Sequence, residues 1–251
     1  MIVMGILNVT PDSFADGGRH NDFEAAVHRA HEMLEEGVDI IDIGGESTKP
    51  GAERVSEAEE FDRVIPVIKE LAKSGVRISI DTMRASTARA AIEAGAQIIN
   101  DVSGGLADPK MLTTAAELQV SYIAMHWRGH SKDMNSLAVY DDVVKDVISE
   151  LQERISAALD AGITEDKINI DPGLGFAKDA QHNWDIIDSI DQFVAMGYPV
   201  LIGASRKRFL GGDNPDEREA ATIRLTKRLS TSGIWGVRVH SVKPHKDALK
   251  V

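Results

Sequence analysis

The sequence predicts a (β/α)8 barrel, the TIM barrel of the α/β class, built as a single domain over residues 1–251. Short apolar runs that each end in a polar or charged residue indicate parallel strands buried on both faces. These runs recur about every 33 residues, which is the length of one strand–helix unit. The eight predicted strands span residues 4–8, 38–46, 77–81, 96–100, 120–126, 167–171, 199–205 and 234–240.

The segments between these strands carry apolar residues at helical spacing, bounded by capping residues at the start and glycines at the end. The clearest predicted starts are Asn21, Ser56, Asp142 and Asn214, and the matching stops are Gly37, Gly75, Gly162 and Gly233. A doubly wound open sheet is the alternative fold. That fold usually has fewer strands and a glycine-rich phosphate loop, and the sequence has no such loop.

Composition narrows the class of protein. The chain has no cysteine, which excludes disulfides and thiolate metal sites. No apolar run approaches the roughly 20 residues of a membrane span, and we recognise no signal peptide, so we expect a cytoplasmic protein that does not bind membranes. The net charge of −12 disfavours nucleic acid as a partner, although a local basic pocket could still bind a small anionic substrate.

Two long polar loops, residues 9–20 and 47–54, follow the first and second predicted strands. The alternative is that they are simple connectors. Loops of this length in a compact domain usually serve binding or catalysis, and in a barrel both would leave the face that carries the active site. We therefore expect both loops to belong to the active site.

Short polar side chains end three of the predicted strands. Asp81, Asn100 and Asp171 occupy these positions on strands three, four and six. A carboxylate only accepts hydrogen bonds, whereas an amide both donates and accepts, so the set suits a flat heterocycle with an exocyclic amine and ring N–H groups. Each residue alone would more often be structural, and Asp171 before a Pro-Gly pair could simply hold a turn. Their equivalent positions favour a shared site.

Cationic side chains follow the last two predicted strands, where this fold frequently binds phosphate. Arg238 and His240 alternate along a strand and can point the same way, and Lys207 follows strand seven. Arginine binds phosphate oxygens with two parallel hydrogen bonds, and lysine acts as a point charge. We interpret Arg206, and to a lesser degree Arg208, as solvent-exposed charge.

Other candidates are less specific. Asn8, with the hydroxyl of Thr48, could contribute to a Mg²⁺ site that bridges phosphates. Met125 and Phe176 are simplest as core side chains, although an apolar wall beside a flat ring would use the same types. His126 has two open interpretations, a hydrogen-bonded supporting residue or a catalyst.

Eight short motifs also occur in a fixed order along the chain. They span residues 8–14 with 16–18, then 42–51, 79–82, 99–104, 125–126, 171–176, 203–209 and 238–240. Together these motifs resemble the dihydropteroate synthases of the folate pathway, over essentially the whole chain. The resemblance implies an enzyme that joins 6-hydroxymethyl-7,8-dihydropterin diphosphate to 4-aminobenzoate and releases pyrophosphate. It also implies Mg²⁺ as cofactor, small-molecule substrates and a homodimer.

The resemblance implies a role for each matching residue. The pterin would contact Asp81, Asn100, Met125, Asp171, Phe176, Lys207 and Arg238. The pyrophosphate would contact Asn8, Thr48, Arg238 and His240, with Mg²⁺ on Asn8. The aminobenzoate, which sulfonamides mimic in this family, would lie against Phe14, Pro50 and Ser205. Asp12 would face the reacting carbon, and Asp12, Lys207 and Arg238 would be catalytic.

Two positions depart from the pattern of the family. Lys49 stands where arginine is usual, and Ser241 stands where aspartate is common. These departures keep open a paralogue that binds pterin without turning it over. A methyltetrahydrofolate methyltransferase is a second alternative, but it would not need the cationic residues Lys207 and Arg238 beside the loop of Asn8.

Overall fold

Eight parallel strands form one sheet in a computed structural model that describes residues 1–10, 18–46, 55–130 and 134–250. Within this part of the chain, neighbours along the sheet follow the order β6-β5-β4-β3-β2-β1-β8-β7, and a bridge between Ile170 and Val200 brings the two edges together. The predicted barrel is confirmed. The strands are β1 (Ile2–Asn8), β2 (Ile40–Gly44), β3 (Arg77–Asp81), β4 (Ile98–Asp101), β5 (Ser121–Met125), β6 (Ile168–Asp171), β7 (Leu201–Ile202) and β8 (Gly236–Val239).

Helices follow the strands as the apolar spacing predicts. They are α1 (Gly18–Glu35), α2 (Glu57–Leu71), α3 (Ala85–Glu93), α4 (Met111–Leu118), α5 (Val143–Asp160), α6 (Ala180–Asp188), α7 (Ile190–Val194), α8 (Glu219–Leu229) and α9 (Val242–Leu249). Two predicted starts are confirmed in atomic detail. The Ser56 side chain accepts a hydrogen bond from the backbone N–H of Glu59, and that of Asp142 accepts one from Lys145.

Two predicted helix starts are wrong. Helix α1 begins at Gly18, so Asn21 lies in its first turn instead of capping it. Helix α8 begins at Glu219, because Asn214 forms a turn of its own ahead of the helix. In that turn the Asn214 Oδ1 atom accepts hydrogen bonds from the backbone N–H groups of Asp216 and Glu217.

Two apolar clusters hold the barrel. The larger lies between the strands and the surrounding helices. The smaller fills the barrel interior and consists of Met4, Ile40, Ile98, Ile123 and Leu201. Because side chains alternate along a strand, the residue two positions after an interior residue also points into the barrel. This alternation places Asp42 above Ile40 and Asn100 above Ile98, toward the carboxyl ends of the strands. In the described part of the chain, no helix combines the length and apolarity that crossing a membrane requires.

Candidate active site

The predicted site residues that the structure describes lie together at the carboxyl ends of the strands. Those within or at the end of a strand are Asn8, Asp81, Asn100, Met125, Asp171 and Arg238, and those in the segments that follow are Phe176, Ser205, Lys207 and His240. Parallel strands bring all of these ends to one face of the barrel. Asp12, Phe14, Thr48 and Pro50 lie outside the described residues.

A buried cluster of charged and amide groups forms the centre of this face. The Arg238 Nε atom donates to Asp42 Oδ2 at 2.6 Å, and its Nη2 atom donates to Asp81 Oδ2. The Asn100 Nδ2 atom donates to the same Asp42 oxygen at 3.0 Å. Asp42 thus joins strand β2 to β4 and β8, and Arg238 joins β8 to β3. A cation held between two carboxylates at the mouth of a barrel fixes the geometry of the site.

Sequence reasoning assigned no role to Asp42. The candidates were the residues that end a strand, and Asp42 lies two positions before the end of β2. The alternation of Ile40, Asp42 and Gly44 along an interior face could have identified it. Asp42 is completely buried, and its Oδ1 atom has no hydrogen-bond partner among the described residues.

Burial changes the proton affinity of the central groups. It raises the pKa of Asp81 to about 7, against the opposing effect of the Arg238 charge. Burial also raises the pKa of Asp171, and the positive charge of Lys207 opposes that shift. Burial alone would lower the pKa of Arg238, but the carboxylates of Asp42 and Asp81 raise it, so the guanidinium stays charged. The site therefore combines a permanent cation with acceptors that bind protons more readily than usual.

Lys207 lies against the segment that follows β6. Its ammonium group donates to the backbone carbonyl of Leu174 and lies 4.5 Å from the ring centroid of Phe176. A Cβ atom on Gly175, where φ is +75°, would come within 2.7 Å of the Lys207 side chain, so this approach requires glycine. Burial lowers the pKa of Lys207 to about 8, against the opposing charge of Asp171. Lys207 is thus a cation whose charge responds to mildly alkaline pH.

Ser205 and His240 contact each other directly. The Ser205 Oγ atom lies 2.9 Å from His240 Nδ1, and it accepts a hydrogen bond from the His240 backbone N–H. The resemblance implied that these residues serve different ligands, aminobenzoate and pyrophosphate. Their contact indicates that the two predicted subsites adjoin.

The interpretation of Arg206 as solvent-exposed charge is wrong. Its Nε atom donates to Glu219 at 2.8 Å, and its Nη2 atom donates to the Ser241 hydroxyl at 2.8 Å. The side chain is only 28% exposed. These partners lie on α8 and after β8. They are distant in sequence from the charge run at residues 206–208, so that run alone could not indicate the contacts. Arg206 and Ser241 therefore link the segment after β7 to the segment after β8.

His126 is hydrogen-bonded within the protein through both ring nitrogens. Its Nε2 atom lies 2.9 Å from Glu150, and its Nδ1 atom lies 2.9 Å from the ammonium of Lys178. Burial, assisted by the charge of Lys178, lowers the pKa of His126 to about 4, so the ring is neutral near pH 7. Lys178 also donates to the carbonyls of Gly173 and Phe176, and it thereby ties His126 to the segment that carries Phe176. Both ring nitrogens are engaged within the protein, which favours support over catalysis.

Fold and site together define a barrel enzyme whose candidate active site is a buried cluster of carboxylates, an amide and cations at the carboxyl ends of the strands. A family model described as "Pterin binding enzyme" matches residues 4–240. The chain is 49% identical to the dihydropteroate synthase of Mycobacterium leprae, over 99% of this chain and 91% of that protein. The chain therefore belongs to the pterin-binding enzyme family, among the dihydropteroate synthases.

Solved structures agree with this assignment. The dihydropteroate synthase of Xanthomonas albilineans with 4-aminobenzoic acid superimposes with a TM-score of 0.93 at 43% identity, covering 99% of this chain and 90% of that one. A second structure of the Xanthomonas protein, in complex with 7,8-dihydropteroate, has a TM-score of 0.89 at 41% identity with the same coverage. The match extends over nearly the whole of both chains, so the comparison concerns the entire barrel and not one motif.

Proposed function

We propose that this enzyme condenses 6-hydroxymethyl-7,8-dihydropterin diphosphate with 4-aminobenzoate to give 7,8-dihydropteroate and pyrophosphate. The observation that carries the proposal is the cluster of Asp42, Asp81, Asn100 and Arg238 at the carboxyl ends of the strands. A buried set of acceptors beside a permanent cation matches a donor-rich heterocycle that carries an anionic leaving group. The Xanthomonas relative has been solved with 4-aminobenzoic acid and with 7,8-dihydropteroate, which are a substrate and the product of the proposed reaction, and this supports the proposal.

In this proposal the pterin binds at the centre of the face. Asp81, Asn100 and Asp171 accept hydrogen bonds from its amine and ring N–H groups, while Met125 and Phe176 line the flat ring. One oxygen of Asp171 already accepts from the backbone N–H of Gly173 at 2.7 Å, which orients the carboxylate. Lys207, above Phe176, supplies a donor for the pterin carbonyl.

The diphosphate binds at the cationic side, against Arg238, His240, Asn8 and Thr48. The carbon–oxygen bond between the pterin methylene and the diphosphate breaks first, and the electron pair leaves with pyrophosphate. Cations beside the leaving group stabilise the charge that develops on it. The methylene cation left behind is delocalised into the pterin ring, and Asp12 places a negative charge near it.

Aminobenzoate then attacks the methylene carbon through its neutral amine, forming the new carbon–nitrogen bond and releasing a proton to solvent. Phe14, Pro50 and Ser205 frame this second substrate, and sulfonamides would compete for the same place. No strong base is required, because an aromatic amine is neutral near pH 7. Holding both reactants together supplies on the order of 7 kcal/mol of the barrier reduction.

Mg²⁺ is proposed as the cofactor, with Asn8 as its protein ligand. The described residues contain no group of three or more His, Asp or Glu side chains placed to hold a metal. A site with one amide oxygen fits Mg²⁺, which keeps several waters and binds mainly through substrate phosphates. When bound, the ion neutralises charge on the leaving group.

The test is release of pyrophosphate from the dihydropterin diphosphate and Mg²⁺, measured with and without 4-aminobenzoate. Release that depends on aminobenzoate, with dihydropteroate as product, is expected. Pterin binding without release would contradict the proposal and identify a silent paralogue, with Lys49 and Ser241 as the first positions to examine. Methyl transfer from methyltetrahydrofolate, in a parallel assay, would identify the methyltransferase alternative.

A further inference from the structure

Asp42 accepts hydrogen bonds from two other side chains of the candidate site. Its Oδ2 atom accepts from both Asn100 Nδ2, at 3.0 Å, and Arg238 Nε, at 2.6 Å. The residue is completely buried in the middle of β2, and Asn100 is only 3% exposed. A side chain held from two directions in a packed barrel has little freedom to move.

The contact with Asp42 decides which way the Asn100 amide faces. A carboxylate oxygen can only accept a hydrogen bond, so the amide must present its NH2 group to Asp42. The reverse orientation would place two acceptor oxygens against each other in a buried setting, which is costly. The Asn100 Oδ1 atom is therefore directed away from Asp42 and remains an acceptor for a ligand.

This orientation has a consequence for specificity. Asp81 and Asp171 are carboxylates and accept by their nature, whereas Asn100 could in principle offer either a donor or an acceptor. Once its orientation is fixed, the three groups present acceptors together. Such a site binds a ring edge that carries N–H donors. When the edge carries an acceptor instead, buried polar atoms are left mispaired, and this mispairing costs binding free energy.

We propose that Asp42 is a positioning residue that sets substrate specificity by locking the Asn100 amide with its oxygen toward the ligand. This inference rests on the proposed pterin site and deepens it. Arg238 contributes by holding the Asp42 carboxylate in place from the opposite side. Asp42 acts through Asn100, and the ligand need not contact it.

Two probes that differ at position 2 of the pteridine ring and at the adjoining ring nitrogen N1 test the proposed orientation. The first is 6-hydroxymethylpterin, and the second is 6-hydroxymethyllumazine, which carries a carbonyl acceptor in place of the 2-amino donor and an N–H group at N1. Dissociation constants are measured by calorimetry for the wild type, Asp42→Ala, Asp42→Asn, Asn100→Ala and the double variant Asp42→Ala/Asn100→Ala. The matched control is Ser79→Ala, because Ser79 pairs with Asp42 across the strands and its buried hydroxyl has no hydrogen-bond partner among the described residues.

The wild type is expected to prefer the pterin. Asp42→Ala should weaken pterin binding by about 10- to 100-fold and lumazine binding much less, because the freed amide can rotate. In the Asn100→Ala background the same change should leave the preference unaltered. Asp42→Asn keeps an acceptor oxygen for Asn100 and should recover part of the preference, and Ser79→Ala should match the wild type.

An equal loss for both probes in Asp42→Ala would overturn the inference, because a merely structural residue would act in that way. The inference would also be overturned if the losses of pterin binding free energy in Asp42→Ala and Asn100→Ala added up to the loss in the double variant. Thermal unfolding of each variant separates these outcomes from misfolding, and Asp42→Asn provides the readout if the alanine variant does not fold. A wild type that binds neither probe would instead contradict the proposed function and remove the inference with it.

Discussion

The barrel interior contains an apolar layer and, toward the carboxyl ends of the strands, a polar layer, and on β2 and β4 the two layers lie two residues apart. The lower layer is apolar and comprises Met4, Ile40, Ile98, Ile123 and Leu201. The upper layer is polar and comprises Asp42, Asp81, Asn100, Asp171 and Arg238, all of them largely buried except the partly exposed Arg238. The lower layer removes apolar surface from water without burying polar groups, which stabilises the fold.

The upper layer works against stability in part. Burial raises the pKa values of Asp81 and Asp171, which means that folding disfavours their charged forms. The charge of Arg238 at Asp81, and the charge of Lys207 at Asp171, offset only part of that desolvation cost. Under the proposed function, the lower layer contributes stability and the upper layer contributes ligand recognition, so substitutions in the two layers should have separable effects.

The largest effect on stability is expected from Ile98→Ala in the lower layer. Loss of the buried side chain should lower the free energy of unfolding by about 2–5 kcal/mol, through lost burial and a cavity. Urea unfolding followed by circular dichroism measures this change. Pterin affinity of the folded protein should change less than about twofold, because Asn100 keeps its backbone position and its bond to Asp42. A loss below about 1 kcal/mol would break the division of roles.

Asp81→Asn in the upper layer should have the opposite profile. One acceptor becomes a mispaired donor, so pterin affinity should fall about 10- to 100-fold while the urea midpoint changes little. Calorimetry with 6-hydroxymethylpterin measures the affinity. The control is Asp188→Asn, whose carboxylate is 63% exposed and pairs with Arg228 at the surface. Unchanged pterin affinity in Asp81→Asn would refute its role.

The pH dependence of pterin affinity tests the roles of Asp81 and Lys207. Asp81 becomes a full acceptor as the pH rises through its pKa of about 7, and Lys207 loses its charge as the pH rises through about 8. Affinity should therefore be greatest between pH 7 and 8 and fall by up to tenfold for each pH unit beyond either limit. Calorimetry from acidic to alkaline pH checks this. Lys207→Arg should remove the alkaline decline, because arginine stays charged, and a flat profile would contradict the assignment.

The smallest effect is expected outside both layers. Lys73 and Glu70 form an ion pair on α2 and the turn after it, with side chains that are 70% and 41% exposed. Lys73→Gln should change the free energy of unfolding by less than about 0.5 kcal/mol and leave ligand binding unaltered, since solvent screens such pairs. Urea unfolding measures this difference, and a loss as large as that of Ile98→Ala would show that depth in the barrel is not what matters.

Much of the fold could be predicted because its signals are local. Apolar runs with polar ends predicted the strands, and the caps at Ser56 and Asp142 depend on residues three positions away. The site residues at the strand ends followed from the general rule that barrels place their chemistry there. Asp42 was assigned no role, and Arg206 was wrongly interpreted as solvent-exposed, because the partners of both residues are distant in sequence. Asp42 and Arg238 are separated by 196 residues, so no local pattern marks their contact.

The sequence by itself determined the repeat of strand and helix and the chemical types available at the carboxyl end of each strand. These properties depend on spacing between neighbouring residues, which the chain carries whether or not it is folded. Only the tertiary structure decided that Asp42 binds both Asn100 and Arg238, that His126 is neutral, and that Lys207 titrates near pH 8. Hydrogen-bond partners and pKa values depend on burial and on the distance between charges, and both exist only once the barrel has closed.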